Sequence, residues 1–139
     1  MSNKFIWLAS YPKSGNTWIR FLIANYFFNF EKEFDFNILK KIDKFPQADH
    51  LSFIDKSEIL NNPYNISKYW IEGQKKLVPE GGNVAFLKTH TPLVELNNNS
   101  FTNENLSLAI IHIVRDPRDV AISYSKFFGI SFDKSIERM

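Results

Sequence analysis

Three short polar segments contain residue types that bind anionic groups. The first is residues 11–18, YPKSGNTW, in which a lysine and a serine precede a glycine. The second is residues 88–90, KTH, and the third begins at Arg115 with the sequence RDPRD. Lysine and arginine supply positive charge, hydroxyl groups supply donors, and histidine titrates near neutral pH. Together these residue types suit the binding of an anionic ligand and acid–base chemistry on it.

Residues 11–18 have the properties of a phosphate-binding loop. Gly15 allows a ligand to approach the backbone, and a helix expected to begin near Thr17 offers free N–H groups and the positive end of its dipole. Ser14 and Thr17 add hydroxyl donors, and Lys13 adds a point charge. The segment is not a Walker A loop, because its lysine precedes the glycine. The alternative is a strand-to-helix turn with an exposed lysine, but the whole run favours phosphate binding.

Of the three histidines, His90 is the candidate general base. It follows a predicted strand and precedes a Thr-Pro pair, which places it at the rim of the sheet. A histidine there can have a pKa near the working pH. The alternative is a partly exposed histidine without a catalytic role. His112 lies inside an apolar run and is expected to be a hydrogen-bonded histidine of the sheet, whereas His50 is expected at the surface.

Arg115 and Ser123 are a candidate pair for binding a phosphate group. They are eight residues apart, one at a predicted strand end and the other two turns into the next helix. A bidentate guanidinium and a hydroxyl can together hold one dianionic phosphate. The alternative is a surface ion pair of Arg115 with Asp116 or Asp119.

Three apolar runs predict the strands that position these segments. Residues 5–9, 84–87 and 108–114 read as strands buried on both faces of a parallel sheet, and residues 17–28 read as a largely buried helix. Strands separated by helical segments predict an α/β fold with right-handed crossovers. In such a sheet ligands bind beyond the carboxyl ends of the strands, and each polar segment follows such an end.

The remaining elements are predicted from capping residues and from Pro and Gly. Asp116 is suited to cap a helix, Pro117 to its first turn and Gly129 to its end. The other predicted features are short helices at 36–42 and 57–60, a longer helix at 67–77, turns at Pro79 and 81–82, and a solvated loop at 97–100.

Composition excludes several classes of protein. The length of 139 residues and the hydrophobic content of 44% fit a single domain or part of one. The net charge of +2 is too small to indicate a nucleic-acid or anionic-membrane partner. The absence of cysteine excludes disulfides and a thiolate nucleophile, and three histidines argue against a metal site. No apolar run approaches the roughly 20 residues of a membrane span, and no signal-peptide pattern is present. We expect a cytoplasmic protein.

The three polar segments together resemble the motifs of sulfotransferases that use 3′-phosphoadenosine 5′-phosphosulfate (PAPS). Residues 11–18 resemble the 5′-phosphosulfate loop, residues 88–90 the strand end with the catalytic histidine, and residues 113–124 the 3′-phosphate segment. They occur in the family's order and span most of the chain. The resemblance implies a P-loop-NTPase-like parallel sheet flanked by helices, with PAPS as co-substrate and no metal. It makes a P-loop kinase or NTPase the weaker interpretation.

The resemblance also implies a role for each site residue. His90 would deprotonate the acceptor, Lys13 would stabilise charge on the bridging oxygen of the leaving phosphate, and Lys88 would assist at the sulfuryl oxygens. Arg115 and Ser123 would bind the 3′-phosphate. Asn16, where many relatives have Thr, should still present its backbone N–H to the 5′-phosphate. The residues implied in holding PAPS within the first segment are Lys13, Ser14, Gly15, Asn16, Thr17 and Trp18.

The implied reaction transfers a sulfuryl group to a hydroxyl or amine of a small molecule, glycan or lipid. The family's C-terminal part, which completes the 3′-phosphate, adenine and acceptor contacts, has no counterpart within residues 1–139. We therefore expect residues 1–139 to be a partial sulfotransferase domain, the N-terminal half. Alone, it is expected to be inactive and poorly soluble, because a sheet edge and apolar faces would be uncovered. The alternatives are a non-catalytic nucleotide-binding fragment and another P-loop-like phosphotransferase.

Overall fold

The structure is a computed structural model that describes residues 4–30, 33, 35–77 and 84–139. The strands are β1 (Lys4–Ser10), β2 (Asp43–Lys44), β3 (Val84–Thr89), β4 (Glu95–Leu96), β5 (Asn99–Ser100) and β6 (Ser107–Ile113). The helices are α1 (Asn16–Phe28), α2 (Lys56–Asn61), α3 (Trp70–Lys75), α4 (Pro117–Phe128) and α5 (Phe132–Glu137), with 3₁₀ helices at Phe36–Lys41, Asp49–Leu51 and Pro63–Tyr69.

A four-stranded parallel sheet in the order β2-β3-β1-β6 forms the centre of the molecule. Helices flank it, so the predicted α/β class and the three predicted strands are confirmed. The short strand β2 was not predicted, because its two charged residues have no apolar pattern. The central position of β1 gives it two neighbours, and it is buried along nearly its whole length.

Two apolar clusters cover the two faces of β1. Phe5 and Trp7 point to one face, and Leu8 points to the other, as alternation along a strand requires. On the second face, Leu8 packs with Ala24 of α1 and with Ile42. The first cluster is aromatic and consists of Phe5, Trp7, Phe45, Trp70, Leu87 and Phe101.

The burial predicted for residues 108–114 is wrong for most of the run. Leu108, Ile110 and Ile111 are exposed, although they form the apolar middle of β6. β6 lies at the edge of the sheet, and the described residues do not cover these side chains. The apolar run therefore identified a strand correctly but not its environment.

The caps predicted for α4 are confirmed. The Asp116 side chain accepts a hydrogen bond from the backbone N–H of Arg118 at 2.9 Å, and Pro117 is the first helical residue. Gly129 ends α4 with a φ of 63°, in the left-handed region where glycine is favoured. In the part of the chain that the structure describes, no helix is long and apolar enough to cross a membrane.

The segment between β3 and β6 and the predicted longer helix differ from expectation. Residues 97–100 were predicted as a loop, but they belong to the β4–β5 hairpin, whose turn holds Asn97 and Asn98 at positive φ. Asparagine tolerates that conformation, which favours a hairpin turn. The helix predicted at 67–77 is divided into the end of a 3₁₀ helix and the α-helix α3. The turns predicted at Pro79 and 81–82 lie outside the described residues.

Candidate active site

The three polar segments lie at the same end of the sheet. β1, β3 and β6 are neighbours and run parallel, with Ala9 opposite Thr89 and Ser10 opposite Ile113. Residues 11–18, the predicted phosphate-binding loop (called the phosphate loop), follow Ser10. His90 follows β3, and Arg115 follows β6 by one intervening residue. The convergence expected from the sequence is therefore present in the fold, because parallel strands bring their carboxyl ends to one edge.

The phosphate loop has a compact conformation with two left-handed residues. Lys13 has a φ of 67° and Gly15 has a φ of 100°, after which α1 begins at Asn16. A Cβ on Gly15 would meet no atom within 4 Å, so the glycine is required by its backbone conformation and not by space. α1 has no side-chain cap. The backbone N–H of Trp18 donates to the carbonyl oxygen of Gly15 at 3.0 Å, so the N–H groups of Asn16 and Thr17 are the ones left for a ligand. Thr17 and Trp18 are exposed on that turn.

Lys13 contacts Phe127 of α4 and Arg115, which lies just before that helix. Its ammonium nitrogen lies 3.7 Å from the ring centroid of Phe127, a cation–π contact. Its carbonyl oxygen accepts a hydrogen bond from Nη1 of Arg115 at 3.2 Å. The side chain of the next residue, Ser14, is buried within the loop. The ammonium group of Lys13 therefore lies against Phe127 of α4.

His90 is held in one tautomer by the end of β1. Its Nδ1 lies 2.7 Å from the carbonyl oxygen of Ser10 and 3.2 Å from Oγ of the same residue. A carbonyl oxygen can only accept, so Nδ1 carries the hydrogen. In the neutral ring, Nε2 then has the free lone pair. This is the tautomer in which Nε2 can act as a base.

The environment of His90 favours its neutral form. Burial is the largest effect and lowers its pKa, and the positive charges of Lys88, Lys44 and Arg20 act in the same direction. The hydrogen bond to Ser10 opposes them. The pKa of His90 remains below its usual value, which favours the neutral ring, in which Nε2 can accept a proton.

Asn16 lies in the loop but turns its side chain inward. Nδ2 donates to the carbonyl oxygen of Leu8 at 2.9 Å and to Oγ of Ser10 at 3.0 Å. Asn16 is 4% exposed and Ser10 is 6% exposed, so these bonds lie in a dry environment. The predicted contribution of Asn16 to phosphate binding therefore falls to its backbone N–H, and the side chain makes contacts that the sequence did not suggest.

Lys88 belongs to a group of cations near His90. In the sheet it pairs with Leu8 on one side and with Lys44 on the other. Burial lowers the pKa of Lys88, and the charges of Arg20 and Lys44 lower it further. Arg20 is fixed in place, because its Nη2 donates to the carbonyl oxygens of Leu39 and Ile42. Neither Arg20 nor Lys44 was singled out from the sequence.

Arg115 makes contacts that belong to both interpretations of the sequence. Its Nη1 donates a hydrogen bond to the carbonyl oxygen of Lys13 in the phosphate loop. Its Nε lies 3.9 Å from Oδ2 of Asp119, which is the ion pair predicted as the alternative. Ser123 is half-buried and lies one helical turn beyond Asp119 on α4. Residues four apart share a helix face, so Asp119 and Ser123 are on the same side of α4.

A pocket of about 220 Å³ lies between the phosphate loop and α4. Tyr11 and Ser14 line it from the loop, and Arg115 lines it from the end of β6. His112 also lines it and belongs to the sheet as predicted, in β6, but its side chain is exposed and makes none of the expected hydrogen bonds to the described residues. His50, predicted at the surface, is half-buried and stacks on a core phenylalanine with ring centroids 5.7 Å apart. Among the described residues, no group of three or more His, Cys, Asp or Glu side chains forms a metal site.

Comparison with known proteins agrees with this arrangement. The family model described as the sulfotransferase domain matches residues 3–137. The chain belongs to the sulfotransferase domain family. The chain is similar to the luciferin sulfotransferase of Photinus pyralis, with 28% identity over 122 residues. The match covers 84% of the present chain and 31% of the firefly protein, so the chain spans about a third of that relative's length.

Besides the side-chain contacts of Asn16, three features of this candidate site were not predicted. They are the acceptance of the His90 hydrogen by Ser10, the contact of Lys13 with Phe127, and the cations Arg20 and Lys44. The position of Ser10 as a polar residue directly before the phosphate loop was a signal that could have drawn attention to it. The other features join segments far apart in the chain and have no local pattern.

Proposed function

We propose that this chain binds PAPS and transfers its sulfuryl group to a hydroxyl or amine of an acceptor, leaving adenosine 3′,5′-bisphosphate. The observation that carries the proposal is the hydrogen bond from His90 Nδ1 to the Ser10 carbonyl, which leaves Nε2 as the acceptor of the neutral ring, at the same sheet edge as a loop suited to phosphate. Family membership supports sulfuryl transfer as the chemistry. The acceptor in this proposal is a small molecule, a glycan or a lipid.

The phosphate loop is the proposed binding site for the 5′-phosphosulfate. The N–H groups at the start of α1 would donate to the phosphate oxygens, with Gly15 allowing the close approach. The hydroxyl groups of Ser14 and Thr17 add donors, and Trp18 offers an exposed aromatic surface on the same turn. The first-turn N–H groups and the helix dipole favour a dianion at this position.

In the proposed step, Nε2 of His90 accepts the proton of the acceptor hydroxyl or amine as that atom forms a bond to sulfur. The bond between sulfur and the bridging phosphate oxygen breaks, and its electron pair stays on that oxygen. The ammonium of Lys13 stabilises the charge that develops there, and Lys88 stabilises the sulfuryl oxygens. Catalysis then rests on positioning and electrostatic stabilisation, as in phosphoryl transfer.

Arg115 and Ser123 are the proposed ligands of the 3′-phosphate. Arg115 is next to the phosphate loop and has a weak pairing with Asp119, since the two charged atoms are 3.9 Å apart and largely exposed. A dianionic phosphate would compete well with that carboxylate, because it can accept two hydrogen bonds from one guanidinium. The pocket between the loop and α4 supports a ligand on this side.

Transfer of labelled sulfate tests the proposal directly. The protein that carries this chain is incubated with ³⁵S-PAPS and a mixture of phenols, sugars, amines and lipids. We expect labelled acceptor and an equal amount of adenosine 3′,5′-bisphosphate. Tight PAPS binding without transfer to any acceptor would favour the non-catalytic nucleotide-binding alternative. Consumption of ATP or GTP in place of PAPS would favour a phosphotransferase.

A further inference from the structure

A chain of buried hydrogen bonds joins the phosphate loop to His90. Asn16, the first residue of α1, donates from Nδ2 to Oγ of Ser10 and to the carbonyl oxygen of Leu8. Ser10 in turn accepts the Nδ1 hydrogen of His90 through its own carbonyl, with its Oγ also within 3.2 Å of Nδ1. Ser10 is therefore bonded on one side to the phosphate loop and on the other to the end of β3.

We propose that Asn16 is a positioning residue for His90, which acts by fixing the end of β1 so that the Ser10 carbonyl keeps the Nδ1–H tautomer. The proposal deepens the function given above, because it rests on His90 as the base. It differs from the role expected for Asn16 from the sequence, which used only the backbone N–H of that residue.

The geometry of the bonds explains why the Asn16 side chain has this effect. Its amide donates to the carbonyl oxygen of Leu8 and to the hydroxyl of Ser10, and so restrains the peptide group after Leu8 and the Ser10 side chain, next to the Ser10 carbonyl. The direction of the Ser10 carbonyl follows from the orientation of its peptide plane. Beyond Ser10 the chain leaves the sheet, and the ladder with β3 ends at Ala9 and Thr89. Ser10 still pairs with Ile113 of β6, so the restraint acts on the β3 side of β1, where the sheet no longer supplies one.

Because Asn16 and Ser10 are buried, the loss of one of their hydrogen bonds has a large effect. Asn16 and Ser10 are almost fully buried, and water does not replace a lost partner in such a place. If the Ser10 carbonyl turns away, Nδ1–H loses its acceptor, and the ring can rotate or change to the other tautomer. In that second tautomer Nε2 carries the hydrogen and cannot accept a proton from the acceptor.

A matched pair of substitutions separates this role from simple packing. Thr and Val have nearly the same shape and are both β-branched, so Asn16→Thr and Asn16→Val disturb the start of α1 alike. Only Thr has a hydroxyl that can donate to Ser10 or to Leu8. A purely structural role for Asn16 would affect both variants in the same way.

The experiment measures kcat, PAPS affinity and the ionisation of His90 in the protein that carries this chain. Loss of a buried hydrogen bond reduces a rate by roughly 2- to 10-fold, so we expect about a 10-fold fall in kcat for Asn16→Val and a smaller fall for Asn16→Thr. PAPS affinity should be nearly equal in the two variants. In ¹⁵N NMR spectra, the His90 ring should be Nδ1-protonated in the wild type. In Asn16→Val its pKa should fall and the Nε2–H form should appear.

Two results would overturn the positioning role. One is equal kcat in the Thr and Val variants, and the other is an unchanged His90 tautomer and pKa in Asn16→Val. If Asn16→Val does not fold, Ser10→Ala keeps the carbonyl but removes the hydroxyl that Asn16 holds, and it should give the same NMR changes at smaller size. A wild type without sulfate transfer would contradict the proposed function instead, while the NMR comparison would still report on the hydrogen-bond chain.

Discussion

The two sides of β1 differ sharply in how their functional residues are held. Towards β3, the polar groups are embedded, since Thr89 is fully buried and both Lys88 and His90 are half-buried. On the β6 side, the apolar residues in the middle of β6 are exposed, and so is Arg115, which follows this strand in the sequence. The group proposed for proton transfer is therefore fixed by buried neighbours, whereas the group proposed for the 3′-phosphate is exposed and held only by one hydrogen bond to the Lys13 carbonyl and a 3.9 Å contact with Asp119.

This difference indicates which functions depend on rigidity. A general base must hold one tautomer and one direction, and the β3 side supplies hydrogen bonds that do so. A phosphate ligand can be captured by a mobile guanidinium, because binding itself orders the side chain. We therefore expect variants on the β3 side to change the rate, and variants on the β6 side to change ligand preference.

Loss of the His90 ring should have the largest effect. We expect His90→Ala to lower kcat by roughly 10²–10⁴, the usual contribution of a general base, while PAPS affinity stays nearly intact. Calorimetry with PAPS and a sulfate-transfer assay provide the two measurements. Added imidazole should restore part of the rate, which checks that the variant is folded. Loss of PAPS binding in His90→Ala would show that the residue is structural or binds phosphate.

Removal of the Lys13 ammonium should come next. Lys13→Ala is expected to lower kcat by about 10²–10³ and to weaken PAPS binding only moderately, because the charge on the bridging oxygen develops in the transition state. Lys126→Ala, which removes an exposed lysine from α4, serves as the control and should leave both quantities unchanged. Unchanged turnover in Lys13→Ala would contradict the role assigned to this residue.

Paired substitutions in β1 and β6 test the difference in packing. Leu8 and Ile111 are neighbours in adjacent strands, but Leu8 is 0% exposed and Ile111 is 40% exposed. We expect Leu8→Ala to lower the free energy of unfolding by about 2–5 kcal/mol and Ile111→Ala by about 1 kcal/mol or less. Urea denaturation measures both. Similar losses in the two variants would mean that β6 is covered in the folded protein.

The difference between the β3 side and the β6 side of β1 also shows which features of the fold the sequence could predict. The apolar runs identified β1, β3 and β6 because short hydrophobic segments between turns favour strands of a parallel sheet. The exposure of β6 was not predicted. A hydrophobic run indicates that a strand is suited to burial, but it does not indicate whether another element packs on that strand. The strand β2 was missed since its sequence, Asp43–Lys44, contains no apolar residue.

The sequence predicted where the site residues lie in the fold, but not which of their side chains contact one another. Topology alone brings Lys13, His90 and Arg115 to one edge of the sheet, and this prediction is confirmed. The bond between Ser10 and His90 joins residues 80 apart, and it depends on the conformation of each side chain. No spacing rule predicts such a bond, so the embedded half of the site became visible only in the structure.

The β6 side should control recognition of the 3′-phosphate. We expect Arg115→Ala to lower the preference for adenosine 3′,5′-bisphosphate over adenosine 5′-phosphate by about 10-fold, because it removes charged hydrogen bonds to one phosphate. Titrations with the two nucleotides measure the ratio. Arg118→Ala is the control, since the Arg118 guanidinium is already bound to Asp116 at 2.6 Å. An equal loss of affinity for both nucleotides would indicate misfolding and not a lost 3′-phosphate contact.

The smallest expected effect is a shift in pH dependence caused by Lys44. The positive charge of Lys44 helps to lower the pKa of His90, so its removal in Lys44→Gln should raise that pKa towards the usual value. The rate depends on neutral His90, and the acidic limb of the plot of kcat/KM against pH should therefore move to higher pH, with no change on the plateau above it. Added salt should move the wild-type limb in the same direction by screening the charge, and should move the limb of Lys44→Gln less.

Lys126→Gln is the control. It removes the same charge on the β6 side, where it does not face His90, and its profile should match the wild type. A limb that stays in place in Lys44→Gln, or moves to lower pH, would show that the cations near β2 do not set the ionisation of the base.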